Sequence, residues 1–224
     1  MKKATCILAA ALALVLLVSL PAAAQNKTGF AGWGIRGGFD VSNIIGSDAT
    51  FPGDLPYKTK AGFTGGLWAM FGISERFAVQ GEALYSMKGS RIVSGKNKVE
   101  FDLQYVEFPL LLKMRSVEDM AVKPSIYAGP IVCFKVADNV TREYREPDVP
   151  LTLADQTIYS MPAEGTSDAR SFDYGFVVGI DFNLVEDKAI FDVRYTHGMK
   201  TIDDTGINDL RNSNISLSLG YAFF

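Results

Sequence analysis

Residues 214–223 read Asn-Ile-Ser-Leu-Ser-Leu-Gly-Tyr-Ala-Phe, so that every second residue from Ile215 to Phe223 is large and apolar. The residues between them are small or polar. The same period of two recurs over 172–183 and 77–88, whereas an amphipathic helix repeats its apolar residues about every 3.6 positions. Each segment is close to the ~9–11 residues with which a tilted β-strand crosses a bilayer. The pattern predicts an all-β chain.

The whole sequence, taken by the same criterion, predicts eight strands, at 32–41, 60–71, 77–88, 101–115, 123–135, 171–184, 189–197 and 213–224. Three connections between them are short, and the other four are longer and rich in Pro, Gly, Asn and Asp: 42–59, 89–100, 136–170 and 198–212. Short and long connections alternate strictly, which is typical of an antiparallel up-and-down transmembrane β-barrel with tight periplasmic turns and long extracellular loops. This order predicts that both termini are periplasmic.

The side-chain sizes on the two faces distinguish a membrane barrel from a soluble one. A lipocalin-like barrel has the same period of two, but its apolar residues point inward. Here most strands carry an aromatic or branched face and an opposite face of Gly, Ser, Ala and charge. Small residues suit a narrow interior and bulky ones a wider circumference, so we expect the bulky face to contact outer-membrane lipid. On the second strand we expect Phe63, Leu67 and Phe71 to face outward.

The N-terminal 24 residues have the composition of a secretory signal peptide. A basic start at Lys2 and Lys3 is followed by the apolar stretch 4–20 and by the small-residue sequence Pro-Ala-Ala-Ala before Gln25. The alternative is a transmembrane anchor, but the apolar stretch is short against the ~20 residues that a spanning helix needs. The small-residue site favours cleavage, which predicts a signal peptide at 1–24 and a barrel domain at 25–224.

The charge of the predicted mature chain excludes one class of partner. Without Lys2 and Lys3 the 22 basic side chains become 20, against 25 acidic ones. This acidic balance argues against nucleic acid as a partner. Cys133 is then the only cysteine, so no intramolecular disulfide is expected.

Charged residues on the small face predict a polar lumen. Arg36, Glu82, Glu107 and Arg194 each fall near the middle of their strand. Two guanidiniums and two carboxylates at one height would form bidentate ion pairs, which suit a dry and narrow interior. The alternative is that these charges line the path of a small-solute pore. The interior of an eight-stranded barrel is filled by side chains, which favours a charged plug.

The sequence predicts no catalytic, cofactor or metal site, and we interpret the chain as a non-enzyme. The spacing GxGxxG at 32–37 begins a strand, whereas the dinucleotide motif joins a strand to a helix. His197 is the only histidine, and one histidine cannot supply a His-rich metal site. Lipid A acyltransferases use His with Asp and Ser on an eight-stranded barrel, so acylation that is lost on His197→Ala would reverse this interpretation.

The longest connection, 136–170, carries the candidate contacts for a protein partner at the cell surface. Arg142, Tyr144, Arg145 and Tyr159 supply cationic and aromatic side chains there. Loops on rigid scaffolds often carry function. The alternative is a solvated and variable outer loop.

Two stretches resemble a known family. Residues 80–89 (Gln-Gly-Glu-Ala-Leu-Tyr-Ser-Met-Lys-Gly) and 105–113 (Tyr-Val-Glu-Phe-Pro-Leu-Leu-Leu-Lys) are similar to the PorT-type "porin family" of outer-membrane barrels, as are 192–198 and the closing 217–224. The resemblance implies an eight-stranded barrel related in architecture to OmpX and OmpA, and it implies no reaction. The founding member is linked to a dedicated secretion machine. An accessory role in secretion or assembly is therefore an alternative to a structural or surface-interaction role.

The last residue of the chain implies a partner during biogenesis. Phe224 resembles the terminal aromatic that the barrel-assembly machinery recognises. The alternation of the last strand places Phe223 outward, and Ala222 stands where a second aromatic is often found. The resemblance therefore implies the barrel-assembly machinery as a transient partner.

Overall fold

The structure is a computed structural model. It describes residues 28–45, 50–51, 55–56, 58–94, 97–117, 120–143, 152–153, 156–157, 164–165, 171–184, 188–200 and 211–223. Eight long strands form the fold: β1 (Gly29–Ile45), β2 (Lys58–Gly72), β3 (Phe77–Ser94), β4 (Asn97–Arg115), β5 (Lys123–Glu143), β6 (Phe172–Leu184), β7 (Ala189–Gly198) and β8 (Arg211–Ala222). In the part of the chain that the structure describes, no helix is long and apolar enough to cross a membrane.

The eight strands close into one antiparallel barrel. Each strand pairs with its neighbours in the chain, and β8 returns to pair with β1 from Gly34 opposite Ala222 to Ile45 opposite Arg211. A closed sheet has no free edge, so the backbone N–H and C=O groups of adjacent strands satisfy one another without water. The predicted eight-stranded up-and-down barrel is confirmed.

The two faces of the sheet differ as the period of two predicted. Outward side chains are large and apolar, with Phe39 71% and Leu219 67% exposed, and Phe63 and Phe71 are also exposed on β2. Ten charged side chains on the inward face are buried, including the four predicted for the lumen: Arg36, Asp40, Glu82, Lys88, Glu107, Lys113, Asp173, Asp181, Asp192 and Arg194. The outward apolar residues form an exposed belt around the barrel.

The two ends of the barrel differ in their connections, and we call them the turn end and the loop end. The turn end holds the short connections, including residues 73–76, where the amides of Ile73 and Ser74 donate to Phe77 O at 2.9 and 3.0 Å. Trp33 packs there against Phe223, with ring centroids 4.4 Å apart. The other four connections, which the sequence predicted to be long, leave the opposite, loop end.

The prediction of a long connection over 89–100 is wrong, because most of these residues belong to strands. β3 continues to Ser94 and β4 begins at Asn97, with Ser94 opposite Asn97 at the tip. β5 likewise continues to Glu143, beyond the predicted end at 135. Polar and glycine-rich composition indicated a loop, but antiparallel pairing uses backbone groups and needs no apolar face. As a result, β3, β4 and β5 extend together from the loop end.

Candidate functional site

Two guanidiniums and two carboxylates meet in the middle of the lumen. Arg36 Nη1 donates to Glu82 Oε1 at 2.6 Å, and Arg194 Nη1 donates to Glu82 Oε2 at 2.7 Å. Asp192 Oδ1 lies 2.7 Å from Arg36 Nη2 and 3.0 Å from Arg194 Nε. The four residues are at most 7% exposed. We call them the central cluster, in which each arginine contacts both carboxylates.

The barrel register makes room for these long side chains. Arg36 lies opposite Gly220 on β8 and opposite Gly66 on β2. Neither neighbour carries a side chain, so the guanidinium can extend across the narrow lumen to Glu82 on β3. Ser218 adds an acceptor for Arg36 Nη2 at 2.9 Å. The strand register therefore places small residues on both sides of Arg36.

Tyr127 completes the hydrogen bonding of Asp192. Its hydroxyl donates to Asp192 Oδ2 at 2.5 Å, and its ring lies 5.4 Å from the Arg194 guanidinium carbon. The ring passes over Gly179, the residue opposite Tyr127 on β6. A Cβ at Gly179 would lie 2.3 Å from the Tyr127 hydroxyl oxygen. Only glycine there allows the phenol to reach Asp192.

The structure brings together three of the four residues that the sequence placed in the cluster. Arg36, Glu82 and Arg194 are in contact, whereas Glu107 pairs with Lys88 Nζ at 2.5 Å. Glu107 lies opposite Leu84, two residues along β3 from Glu82 and on the same face, and so lies nearer the loop end. The second carboxylate of the cluster is Asp192. The alternation of residues along β7 indicated that Asp192 faces inward. Its position along the barrel axis, however, depends on the stagger between strands, which one sequence does not show.

Further polar contacts lie above and below the central cluster. Lys113 pairs with Asp181 at 2.6 Å on the turn side, and Ser86 donates to Asp40 at 2.8 Å on the loop side. A void beside the cluster, lined by Arg36, Arg194 and their neighbours, has a volume of only about 10 Å³. A void needs roughly 10–15 Å³ to hold even one water. Side chains fill the lumen at the height of the central cluster.

One side of the interior is apolar, which the sequence interpretation missed. A buried cluster occupies the faces of β4, β5 and β6 that point into the barrel: Leu103, Tyr105, Leu111, Tyr127, Ile131, Cys133 and Val177. On β5 the inward and outward side chains are similar in size, so alternation of size gives no signal there. The inward turn of Ile131 and Cys133 follows from the pairing of β5 with β4 and β6.

His197 lies on the outer face at the loop end. Its Nδ1 is 3.2 Å from the Tyr195 hydroxyl, and Ser213 Oγ donates to that hydroxyl at 3.1 Å. Among the described residues, Ser213 is therefore linked to the His197 imidazole only through the Tyr195 hydroxyl. A hydrolase nucleophile normally hydrogen bonds directly to its base. Within the same residues, no group of three or more His, Cys, Asp or Glu side chains is arranged to hold a metal ion.

The candidate contacts of the longest connection fall mostly outside the described residues. Tyr144, Arg145 and Tyr159 are not described, and Arg142 is described only as a backbone position on β5, opposite Val99. They remain predictions.

Comparisons with solved structures find outer-membrane and surface proteins that are similar to this chain. The neisserial surface protein A (NspA) is 12% identical, with a TM-score of 0.48, and the match covers 87% of this chain and 99% of NspA. Ail of Yersinia pestis, solved with the heparin analogue sucrose octasulfate, is 14% identical, with a TM-score of 0.47, covering 88% of this chain and 99% of Ail. OprG of Pseudomonas aeruginosa is 16% identical, with a TM-score of 0.45, covering 89% and 99%.

The family assignment comes from a sequence model. No curated protein matches the sequence. The model described as "Outer membrane protein beta-barrel domain" matches residues 23–204, which include seven of the eight strands. The chain therefore belongs to this outer-membrane β-barrel family, and its apolar belt sits in outer-membrane lipid.

Proposed function

We propose that the protein is a non-enzymatic surface-interaction barrel. The apolar belt holds it in the outer membrane, the central cluster closes its lumen, and the segments at the loop end contact a protein partner outside the cell. The role is structural and recognitive, with no reaction.

The projecting sheet of β3, β4 and β5 is the observation that carries this proposal. β5 has 21 residues, about twice the ~9–11 that a tilted strand needs to cross the bilayer. On the outer face of β4 the belt runs from Met114 to Val106 and is followed by Gln104 and Asp102. The Tyr85 hydroxyl donates to Gln104 at 2.7 Å at this boundary. Strand structure that continues past the belt presents a hydrogen-bonded sheet to the medium.

The sealed lumen argues against a small-solute pore. A solute crossing the barrel would have to displace the central cluster and its four buried charges. Breaking such a cluster strands charges in a dry interior, which costs several kcal/mol. Steady single-channel conductance of the purified barrel in planar bilayers would contradict this part of the proposal.

We further infer that the loop end faces the medium, that both termini are periplasmic and that residues 1–24 are removed as a signal peptide. In a Cys133→Ser background, we expect Asn139→Cys at the loop end to react with a membrane-impermeant maleimide on intact cells. Val117→Cys at the turn end should react only after the outer membrane is opened. Both side chains are exposed. The reverse labelling pattern would invert the orientation.

A shortened hairpin tests the interaction. Joining Ser90 directly to Phe101 through an Asn-Gly turn removes the projecting tip, and these two residues are already opposite each other. We expect cells that display the shortened barrel to lose adhesion to immobilised matrix or serum protein. The matched control shortens the connection 201–210 and keeps adhesion. Equal adhesion by the two variants would contradict a role for the projecting sheet.

Residues of the longest connection test the partner contact more finely. Arg142, Tyr144, Arg145 and Tyr159 are replaced by alanine together in a barrel that still assembles. We expect reduced adhesion because large aromatic and arginine side chains contribute most of the binding energy at protein interfaces. Unchanged adhesion would move the contact to another loop.

The PorT-type resemblance of 105–113 favours a second role, as an accessory of a secretion or assembly machine. Affinity purification from native membranes separates the two roles. Stable recovery of periplasmic or outer-membrane machine components would favour the accessory role. During biogenesis we also infer contact with the barrel-assembly machinery through the C-terminal aromatic residues, and deletion of Phe223 and Phe224 should reduce insertion.

A further inference from the structure

The buried charges of the lumen balance in its middle but not on its loop side. The central cluster has two guanidiniums and two carboxylates, and on the turn side Lys113 is paired with Asp181 at 2.6 Å. On the loop side, the described buried side chains comprise one ammonium and three carboxylates: Lys88, Asp40, Glu107 and Asp173. We propose that the loop side of the lumen binds a small metal cation, with Asp40 as its charged ligand.

The carboxylate of Asp40 is buried without a counter-charge in contact, and it is 1% exposed. Its Oδ2 accepts from Ser86 Oγ at 2.8 Å, whereas its Oδ1 has no hydrogen-bond partner among the described residues. The Lys88 ammonium contacts Glu107 instead, at 2.5 Å. Taking an ionised carboxylate out of water without a counter-charge is strongly unfavourable. A cation bound at Asp40 Oδ1 would supply the missing charge.

Neighbouring side chains on β1 and β8 supply neutral oxygens. Strand pairing places Ser216 opposite Asp40, and it places Asn214 opposite Ser42, the next inward residue of β1. Asn214 Nδ2 donates to Ser216 Oγ at 3.1 Å, whereas Asn214 Oδ1 has no hydrogen-bond partner among the described residues, although Asn214 is only 4% exposed. Carboxylate and amide oxygens are ligands that hard cations prefer. These four residues, which we call the Asp40 corner, therefore bring two unpartnered oxygens to one part of the lumen.

The Asp40 corner has room for an ion but not for an organic molecule. The β2 residue opposite Asp40 is Gly62, which has no side chain. A void of about 10 Å³ adjoins Asn214 and Ser216, and it is also lined by the two arginines of the central cluster, whose charges are balanced. A void of roughly this size holds a single water-sized species. The corner therefore suits a monatomic cation that is held by one carboxylate and neutral oxygens.

Calorimetric titration of the mature barrel tests for the cation directly. The barrel is placed in phosphocholine nanodiscs, whose lipids carry no net charge, and is kept free of metal in choline chloride. It is then titrated separately with CaCl₂, MgCl₂ and NaCl. We expect saturable binding of one ion per barrel for at least one of the three, with a dissociation constant of about 10⁻⁴–10⁻³ M, as in weak sites with few charged ligands. Binding of none of the three would refute the proposal.

Two buried aspartates of the lumen give a matched pair of variants. Asp40→Asn removes the charged ligand and keeps the shape of the side chain, and Asp181→Asn makes the same change on the turn side. We expect the affinity for the bound cation to fall at least about tenfold in Asp40→Asn, and to stay within about twofold of the parent in Asp181→Asn. Parent affinity in Asp40→Asn, or an equal loss in the two variants, would overturn the assignment of Asp40.

Urea unfolding of the same nanodiscs provides a second readout, which a merely structural role of Asp40 would not reproduce. In metal-free buffer, Asp40→Asn should unfold at a urea concentration no lower than that of the parent, because it removes a buried charge that has no counter-charge in contact. Adding the bound cation should raise the midpoint of the parent and leave that of Asp40→Asn unchanged. A lower midpoint of Asp40→Asn in metal-free buffer, or an equal shift in both proteins, would contradict the proposal.

Glu107→Gln tests the Asp40 corner without changing any of its residues. In this variant Lys88 loses its partner at 2.5 Å, and Asp40 already attracts the Lys88 ammonium electrostatically. The ammonium should then take the place of the cation at Asp40, so we expect the cation affinity to fall about as far as in Asp40→Asn. Parent affinity in Glu107→Gln would place the cation away from Asp40 and would refute the site.

Discussion

The central cluster can be tested by replacing two lumen glutamates, Glu82 and Glu107, with glutamine in separate variants. Both residues are 4% exposed, and glutamine preserves the shape of each side chain. Glu82 serves two guanidiniums of the cluster, whereas Glu107 pairs with the single ammonium of Lys88. The sequence placed the two glutamates in one cluster, but the structure predicts unequal effects.

The contacts of Glu82 indicate a large loss of stability. Its carboxylate accepts from Arg36 Nη1 at 2.6 Å, from Arg194 Nη1 and Nη2 at 2.7 and 3.1 Å, and from Gln80 Nε2 at 2.7 Å. After Glu82→Gln, two buried guanidiniums share the one carboxylate of Asp192. An uncompensated buried charge costs about 3–5 kcal/mol. We expect the free energy of unfolding to fall by that amount.

Glu107→Gln should cost less because Lys88 has an alternative partner. Asp40 attracts the Lys88 ammonium electrostatically, and Asp40 Oδ1 has no hydrogen-bond partner among the described residues. The flexible stem of a lysine can redirect its charge, whereas a guanidinium held in a fork geometry cannot. We therefore expect a loss of about 1–2 kcal/mol, the contribution of one hydrogen bond.

Urea unfolding of the mature barrel in lipid vesicles measures both losses, followed by tryptophan emission and by the gel mobility of the folded form. A double variant adds a control: Glu82→Gln with Arg194→Gln leaves Arg36 paired with Asp192 at 2.7 Å. Its loss should be about 2 kcal/mol smaller than the sum of the single losses, since these groups are in contact. If Glu107→Gln cost as much as Glu82→Gln, or if the single losses simply added, the assignment of the cluster would be refuted.

Three further predictions concern the belt, the close approach at Gly179 and the seal. Phe39→Arg at mid-belt should cost about 2–4 kcal/mol of stability in vesicles, against less than about 1 kcal/mol for Thr59→Arg at the loop end; equal costs would misplace the belt. Gly179→Ala should lower the free energy of unfolding by about 1–3 kcal/mol because it displaces Tyr127. Gly81→Ala, with nothing within 4 Å of the added Cβ, should change it by no more than about 0.5 kcal/mol. Similar values for the two variants would refute the close contact at Gly179. Planar bilayers containing the parent barrel should show no steady conductance.

The strands and their facing could be predicted because membrane strands alternate two chemically different environments. On β8 every outward residue from Ile215 to Tyr221 is at least 47% exposed, as the opening alternation indicated. Lipid and a narrow lumen select side chains so differently that a period of two is visible without tertiary information. The alternation of apolar and polar residues is no longer visible where the strands extend beyond the bilayer. This is why β3 and β4 were predicted to end before the tip that Ser94 and Asn97 form.

The membership of the central cluster could be predicted only in part. That Arg36, Glu82 and Arg194 face inward follows from alternation, but which inward residues share a height depends on the stagger of eight tilted strands. Both arginines neighbour β8, but at different positions. Arg194 on β7 lies opposite Ser216, whereas Arg36 on β1 lies opposite Gly220, four residues further along β8. Such offsets accumulate around the barrel. A position near mid-strand therefore did not distinguish Glu107 from Asp192.

The central cluster is better explained by strand register than by stability. Replacing a buried ion pair with well-packed apolar residues is often neutral or stabilising, so stability alone would not require Arg36 or Arg194. A slip of one residue, however, would move either arginine from the lumen to the lipid face, at about 2–4 kcal/mol for each at mid-depth. On β1 the same slip would bring Ile35, 46% exposed in the belt, into the cluster. On the five strands that carry buried charges, β1, β3, β4, β6 and β7, the lumen charges thus fix which face meets lipid, and the belt that results separates the projecting sheet from the turn end of the barrel.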